Sequence, residues 1–176
     1  MKITESEFPI VKLDMNGAVF SEKHSAFICR MCFWDQYRFF PSSTFKACPA
    51  LILRWILREL RLLKKSGVKE KREVFLHPST DHFLFFEKST DDTLLITFHC
   101  ALKRSFLNRF FISRDRQGQT RSIQCSFASF FAHIYENAEA FYEKFCEMHP
   151  QGSDMVVLQE ELELSKKLYN RIVKNL

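Results

Sequence analysis

The stretch from residue 49 to residue 66, PALILRWILRELRLLKKS, constrains the fold of this chain more than any other. It reads as one helix set between strand-like segments, with a start signal and a stop signal of its own. Pro49 suits the first helical position, where its missing N–H would lack a partner anyway, and Gly67 suits a left-handed residue just past the end. Ile52, Trp55, Ile56, Leu60 and Leu63 fall at helical spacing on one face, which must be buried. Arg54, Arg58, Arg61 and Lys65 repeat on another face as a basic stripe.

The flanking segments read as strands. Residues 8–14 and 17–20 surround Asn16-Gly17, a good hairpin turn pair. Over residues 25–33, alternation puts Phe27, Cys29, Met31 and Phe33 on one side and Ala26, Ile28, Arg30 and Cys32 on the other. A polar and aromatic loop, WDQYRFFPSST, leads into the helix, and KEKRE after Gly67 reads as a solvated linker. Strand patterns follow at 73–77, 82–88, 93–100, 104–113 and 119–125, with turns at 78–81, 89–92 and 115–118, so an antiparallel meander is expected. A second helix, about 127–148, carries a long apolar stripe that includes Phe127, Phe130, Phe131, Ile134 and Phe141, and should lie across the sheet. A third, about 154–175, has glutamates early and basic residues late, the order a helix dipole favours. Its narrower seam of Leu158, Leu162, Leu168, Tyr169 and Ile172 docks either on the domain or on a second copy as a homodimer. The expected fold is a single α+β domain over 1–176. It has an antiparallel β-sheet of five or more strands, two long helices packed on it, and an additional C-terminal helix.

Twenty phenylalanines against four glycines imply a densely packed interior, with glycine used only as punctuation. That scarcity argues against a loop whose backbone wraps a phosphate. A net charge of +5, from 26 basic and 21 acidic residues, permits an acidic partner but falls short of a dedicated nucleic-acid binder. The first residues show no secretory h-region, and no apolar run approaches a membrane span, so a cytoplasmic protein with six reduced cysteines is expected.

No reaction centre emerges. Cys29 and Cys32 form a C-x-x-C, but in a strand their sulfurs point to opposite faces, and no second pair supplies the remaining zinc ligands. His77, His82, His99 and Cys100 share the strand region, yet His99 and Cys100 as strand neighbours cannot both face one site without a bulge. There is no G-x-S-x-G and no Walker loop, while Asp91-Asp92 and the late glutamates read as solvated surface. The expectation is therefore no catalytic site, no metal and no cofactor. Two features invite a partner. One is the basic set, in which the helix stripe joins Lys103, Arg104, Arg109, Arg114, Arg116 and Arg121, either to bind phosphates or as a solvated face. The other is the cluster Trp34, Asp35, Tyr37 and Arg38, where aromatics stand beside charge or plug the sheet edge.

Several local patterns occur together. Cys48-Pro49 opens a helix of the type L-x-x-W-x-L-x-E-L (Leu51 to Leu60), and Phe75-Leu76-His77-Pro78 continues to Phe83 as F-L-x-P-x-x-x-F. Leu94 to Phe98 follows as L-x-I-x-F, then the basic-aromatic stretch Lys103 to Phe106 and a Phe-led helix from Phe127. Over about 25–148 this resembles the WapI-type immunity proteins, which are paired with bacterial wall-associated-protein toxins; the helix from 154 is then an extension. The resemblance implies a non-enzymatic protein that binds and neutralises a cognate toxin. Trp34, Asp35, Tyr37 and Arg38 would form the contact, with Arg54, Arg58 and Arg61 steering the approach. A basic accessory protein that binds nucleic acid or phosphate stands second.

Overall fold

Strand β3 (Ala26–Trp34) organises the first part of the molecule, which is known from a computed structural model describing residues 9–34, 38–76, 82–100, 119–149 and 152–174. β1 (Ile10–Leu13) and β2 (Val19–Ser21) both pair antiparallel with β3, one along its C-terminal part and the other along its N-terminal part. The expected hairpin at Asn16-Gly17 is therefore absent. The register runs one way, from Ile10 opposite Trp34 to Ser21 opposite Ala26, so the chain continues along β3 instead of turning back. Asn16 and Gly17 belong to a 3-10 turn that Asp14 caps, its carboxylate accepting from the Gly17 N–H at 2.9 Å. Residues 14–18 thus bulge outward opposite Cys29 and Arg30.

On its other flank β3 pairs with two short strands, β4 (Phe39–Phe40) and β5 (Lys46–Ala47). β4 lies in the stretch expected to be loop, and β5 just beyond it. A second sheet, ordered β6-β7-β8-β9, is the antiparallel meander: β6 (Lys71–Phe75), β7 (His82–Lys88), β8 (Thr93–Cys100) and β9 (Gln119–Ser126). The strands thus divide between a five-stranded and a four-stranded sheet rather than forming one. β6 begins inside the supposed solvated linker, and β8 pairs directly with β9. The strand expected at 104–113 lies outside the described residues.

Helix α1 (Pro49–Lys65) starts at Pro49 as expected. It does not end on a left-handed glycine, since no described glycine has positive φ and Lys69 takes that conformation instead, at φ 72. Its last turn is closed by the Ser66 N–H donating to Leu63 O at 3.1 Å, and the buried Lys88 ammonium donates to Ser66 O at 2.9 Å. A lysine on a neighbouring strand thus satisfies the helix end that a glycine motif satisfies elsewhere. Helix α2 (Phe127–Phe145) begins under a serine cap, with Ser126 Oγ accepting from the Ser129 N–H, and α3 (Ser153–Val173) follows.

The core lies between the inner faces of the sheets and the helices. Phe27, Cys29, Met31 and Phe33 of β3 face it, as alternation predicts, together with Leu84, Phe86, Leu94, Ile96 and Phe98 of the second sheet. Phe33 and Phe40 meet Phe98 at ring-centroid distances of 6.1 and 5.0 Å, which joins the two sheets. The buried face of α1 is Ile52, Leu53, Ile56, Leu57, Leu60 and Leu63. Trp55 sits on its flank, partly buried, instead of at its centre. α3 joins the same core: Met155, Leu158, Leu162 and Ile172 are buried in it, and the helix packs on α1 and α2. Its seam packs within the chain, the first of the two places the sequence allowed for it. No helix among the described residues is long and apolar enough to cross a membrane.

Candidate functional site

Cross-strand partners share a face of an antiparallel sheet, so register alone assembles the surface of the first sheet that points away from the core. Trp34 has Ile10 on one side and Phe39 on the other, Arg30 lies beside Lys46, Cys32 beside Lys12, and Ile28 beside Val19. The Lys12 ammonium stands 4.4 Å from the centroid of the Trp34 ring and 5.5 Å from that of Phe39, within cation–π range of both. Phe39 is 42% and Val19 68% exposed. Arg30, Arg38 and Lys46 are exposed as well.

The 3-10 bulge shapes this face further. Where residues 14–18 leave the ladder, a groove of about 350 Å³ opens, lined by Gly17, Val19, Ser21, Ile28, Cys29, Arg30 and Lys46. Bulges commonly re-aim side chains in this way. Asp14 reaches back from the bulge to Arg30, with Oδ2 3.4 Å from Nε.

Trp34 and Arg38 belong to this face or its rim, whereas Asp35 and Tyr37 lie outside the described residues. The structure does not unite them with the α1 stripe, because α1 packs on the inner side against β3, the second sheet, α2 and α3. The stripe is itself divided. Arg58 is exposed beside Glu59 and Arg54 is half-buried, but Arg61 turns inward to Glu161 of α3 at 2.8 Å. Arg61 is therefore a structural residue, corrected from a surface one. Lys12, Lys46 and Phe39 were missed in the sequence because their place depends on strands of two to four residues whose partner is remote. The alternation of β3 did place Arg30 and Ile28 together.

The other chemistry-bearing residues are dispersed. Cys29 faces the core and Cys32 faces Lys12, so the C-x-x-C does not converge. Burial pushes the Cys29 thiol up to about 11 and the Cys125 thiol up to about 12. Cys48, at the mouth of α1, is held near 11 by burial, with the buried Asp154 carboxylate 3.9 Å from its sulfur adding to the effect. A thiol kept protonated is a poor nucleophile. His99 on β8 faces Thr120 and Phe83, His82 packs edge-on to Phe40 and Phe45, and His77 is outside the described residues. Among the described residues, no group of three or more His, Cys, Asp or Glu is placed to hold a metal ion. A second aromatic cluster, Phe75, Phe83, Phe85 and His99, occupies the outer face of the second sheet. Of the basic residues expected on the later strands, Arg121 is described and partly exposed on β9, while those from 103 to 116 are not described. Compared with known proteins, the chain matches no family model, no curated protein and no solved structure.

Proposed function

We propose that the protein acts by binding, without chemistry of its own, and that it presents the outer face of the first sheet to an acidic surface on a protein partner. The observation that carries this reading is the charge of that face. Lys12, Arg30 and Lys46 stand on it beside Trp34 and Phe39, and Asp14 pairs with Arg30 there. Aromatic and arginine anchors with complementary charge are what a tight inhibitor needs. The resemblance to WapI-type immunity proteins makes the partner a toxin, neutralised in the cytoplasm. A cationic face is a poor mimic of nucleic acid, so it engages an acidic region of the toxin and not a nuclease cleft. Arg54 and Arg58 contribute to the long-range field alone.

The test is a pull-down from the native host with wild type and with Lys12→Glu/Lys46→Glu, followed by mass spectrometry and association kinetics. Wild type should retain an acidic protein, and the reversed variant, equally folded, should associate about tenfold more slowly with a flatter salt dependence. Equal capture and equal rates would overturn the reading.

A second reading rests on Trp34 and Phe39 lying side by side among cations, which also suits stacked bases of a single strand. Binding of random oligonucleotides that falls steeply with salt would favour it.

A further inference from the structure

Arg30 and Lys46 lie directly opposite each other across the β3–β5 pair, and both are exposed. Like charges in that arrangement destabilise a strand pair. β5 is only two residues long, so it has little ladder with which to offset the repulsion. Asp14 relieves part of it, but its oxygen stays 3.4 Å from Arg30 Nε, longer than the ~2.8 Å of a good charge-assisted bond. Among the described residues no carboxylate pairs with Lys46. The two cations flank the groove opened by the bulge, whose apolar wall is Val19 and Ile28. Gly17 keeps the turn folded onto Asp14: a Cβ there would lie 2.5 Å from Asp14 Oδ2.

We propose that this groove is a subsite for one acidic side chain of the protein partner. The incoming Asp or Glu carboxylate bridges Arg30 and Lys46, its aliphatic stem rests on Val19 and Ile28, and Asp14 is the resident competitor it must displace from Arg30. The pair is kept at a cost in stability because the bound carboxylate, not the free protein, satisfies it. Asp14 sets a threshold: a weakly acidic surface does not dislodge it, whereas a strongly acidic one does. This inference rests on the first-sheet face being the binding surface, and narrows it to an anchor and a gate.

The test uses a synthetic oligoglutamate peptide as probe, titrated at low salt and followed by tryptophan fluorescence and calorimetry. Asp14→Asn keeps the oxygen that accepts from the Gly17 N–H and removes the competing charge. It should bind the peptide about two- to fivefold tighter, the scale of one exposed ion pair. Arg30→Gln/Lys46→Gln should bind at least about fivefold weaker while melting no lower than wild type, since the mutual repulsion is gone. Asp14→Asn binding no tighter, or the double variant binding as wild type does, overturns the subsite. If Lys12→Ala still weakens binding in that event, the face survives and only the subsite fails. If none of the three variants changes binding, both readings fail together.

Discussion

Arg61 of α1 and Glu161 of α3 meet fork to fork, with Nε to Oε1 at 2.8 Å and the terminal nitrogen to Oε2 at 3.1 Å. Ser165 donates to the same Oε1 at 3.0 Å, and the glutamate side chain is 5% exposed. The two helices are locked by a bidentate pair at the edge of an apolar interface. Removing one partner leaves the other buried and uncompensated. Arg61→Ala or Glu161→Ala should each cost about 3–5 kcal/mol by urea unfolding, while Arg61→Met/Glu161→Leu should recover much of that loss. A single mutant that unfolds as wild type does would show that the pair contributes nothing.

Stability should depend on pH through His133. Its Nε2 accepts the Val11 N–H at 2.9 Å, tying β1 to α2, and only the neutral ring can accept there. Burial lowers its pKa below the ordinary 6.5, against an opposing pull from Glu136. The unfolded chain therefore takes up the proton first, and stability is lost as pH falls from about 6.5 down through the folded-state value. His133→Gln should reduce the difference in melting temperature between pH 7.5 and pH 5. An unchanged difference would place the acid sensitivity elsewhere.

On α1, Leu57 is fully buried and Trp55 is only partly so. Leu57→Ala should cost about 2–5 kcal/mol, and Trp55→Ala less than the ~3–5 kcal/mol of a fully buried tryptophan. Equilibrium unfolding of the two variants side by side decides the order. A larger loss at Trp55 would mean that the helix is rotated about its axis, with Trp55 and not Leu57 turned to the core.

Three of the thiols should be silent in the native protein. Cys29, Cys48 and Cys125, raised to about 11, 11 and 12, stay protonated at pH 8. Titration with a disulfide reagent should count fewer than the six cysteines of the sequence until denaturant is added. Rapid reaction of all six in the folded state would contradict this burial.

Much of the fold was legible locally. Pro49 at the first helical position, the phenylalanine stripe of α2 and the turn at Ser89–Asp92 each carry their own signal over a few residues. What was not legible depends on remote pairing. Asn16-Gly17 is a strong hairpin signal, but it is overridden because β1 and β2 both find their partner in β3, and Asp14 stabilises the turn that lets them. β4 and β5 are too short for any period to register. The surface shared by Lys12, Trp34, Phe39 and Lys46 exists only once those pairings are made, so Trp34 could be singled out and its neighbours could not. Arg61 looked like surface because helical periodicity reports a face, not what a later helix lays upon it.

The place of α3 in the core has a consequence for how the protein is made. A ribosome delivers α1 and both sheets well before α3 emerges, since synthesis proceeds from the N-terminus. Until it does, Leu158 and Leu162 are missing from their seats and Arg61 lacks its Glu161 partner. The nascent chain therefore waits, unsealed, with its phenylalanine-rich interior open.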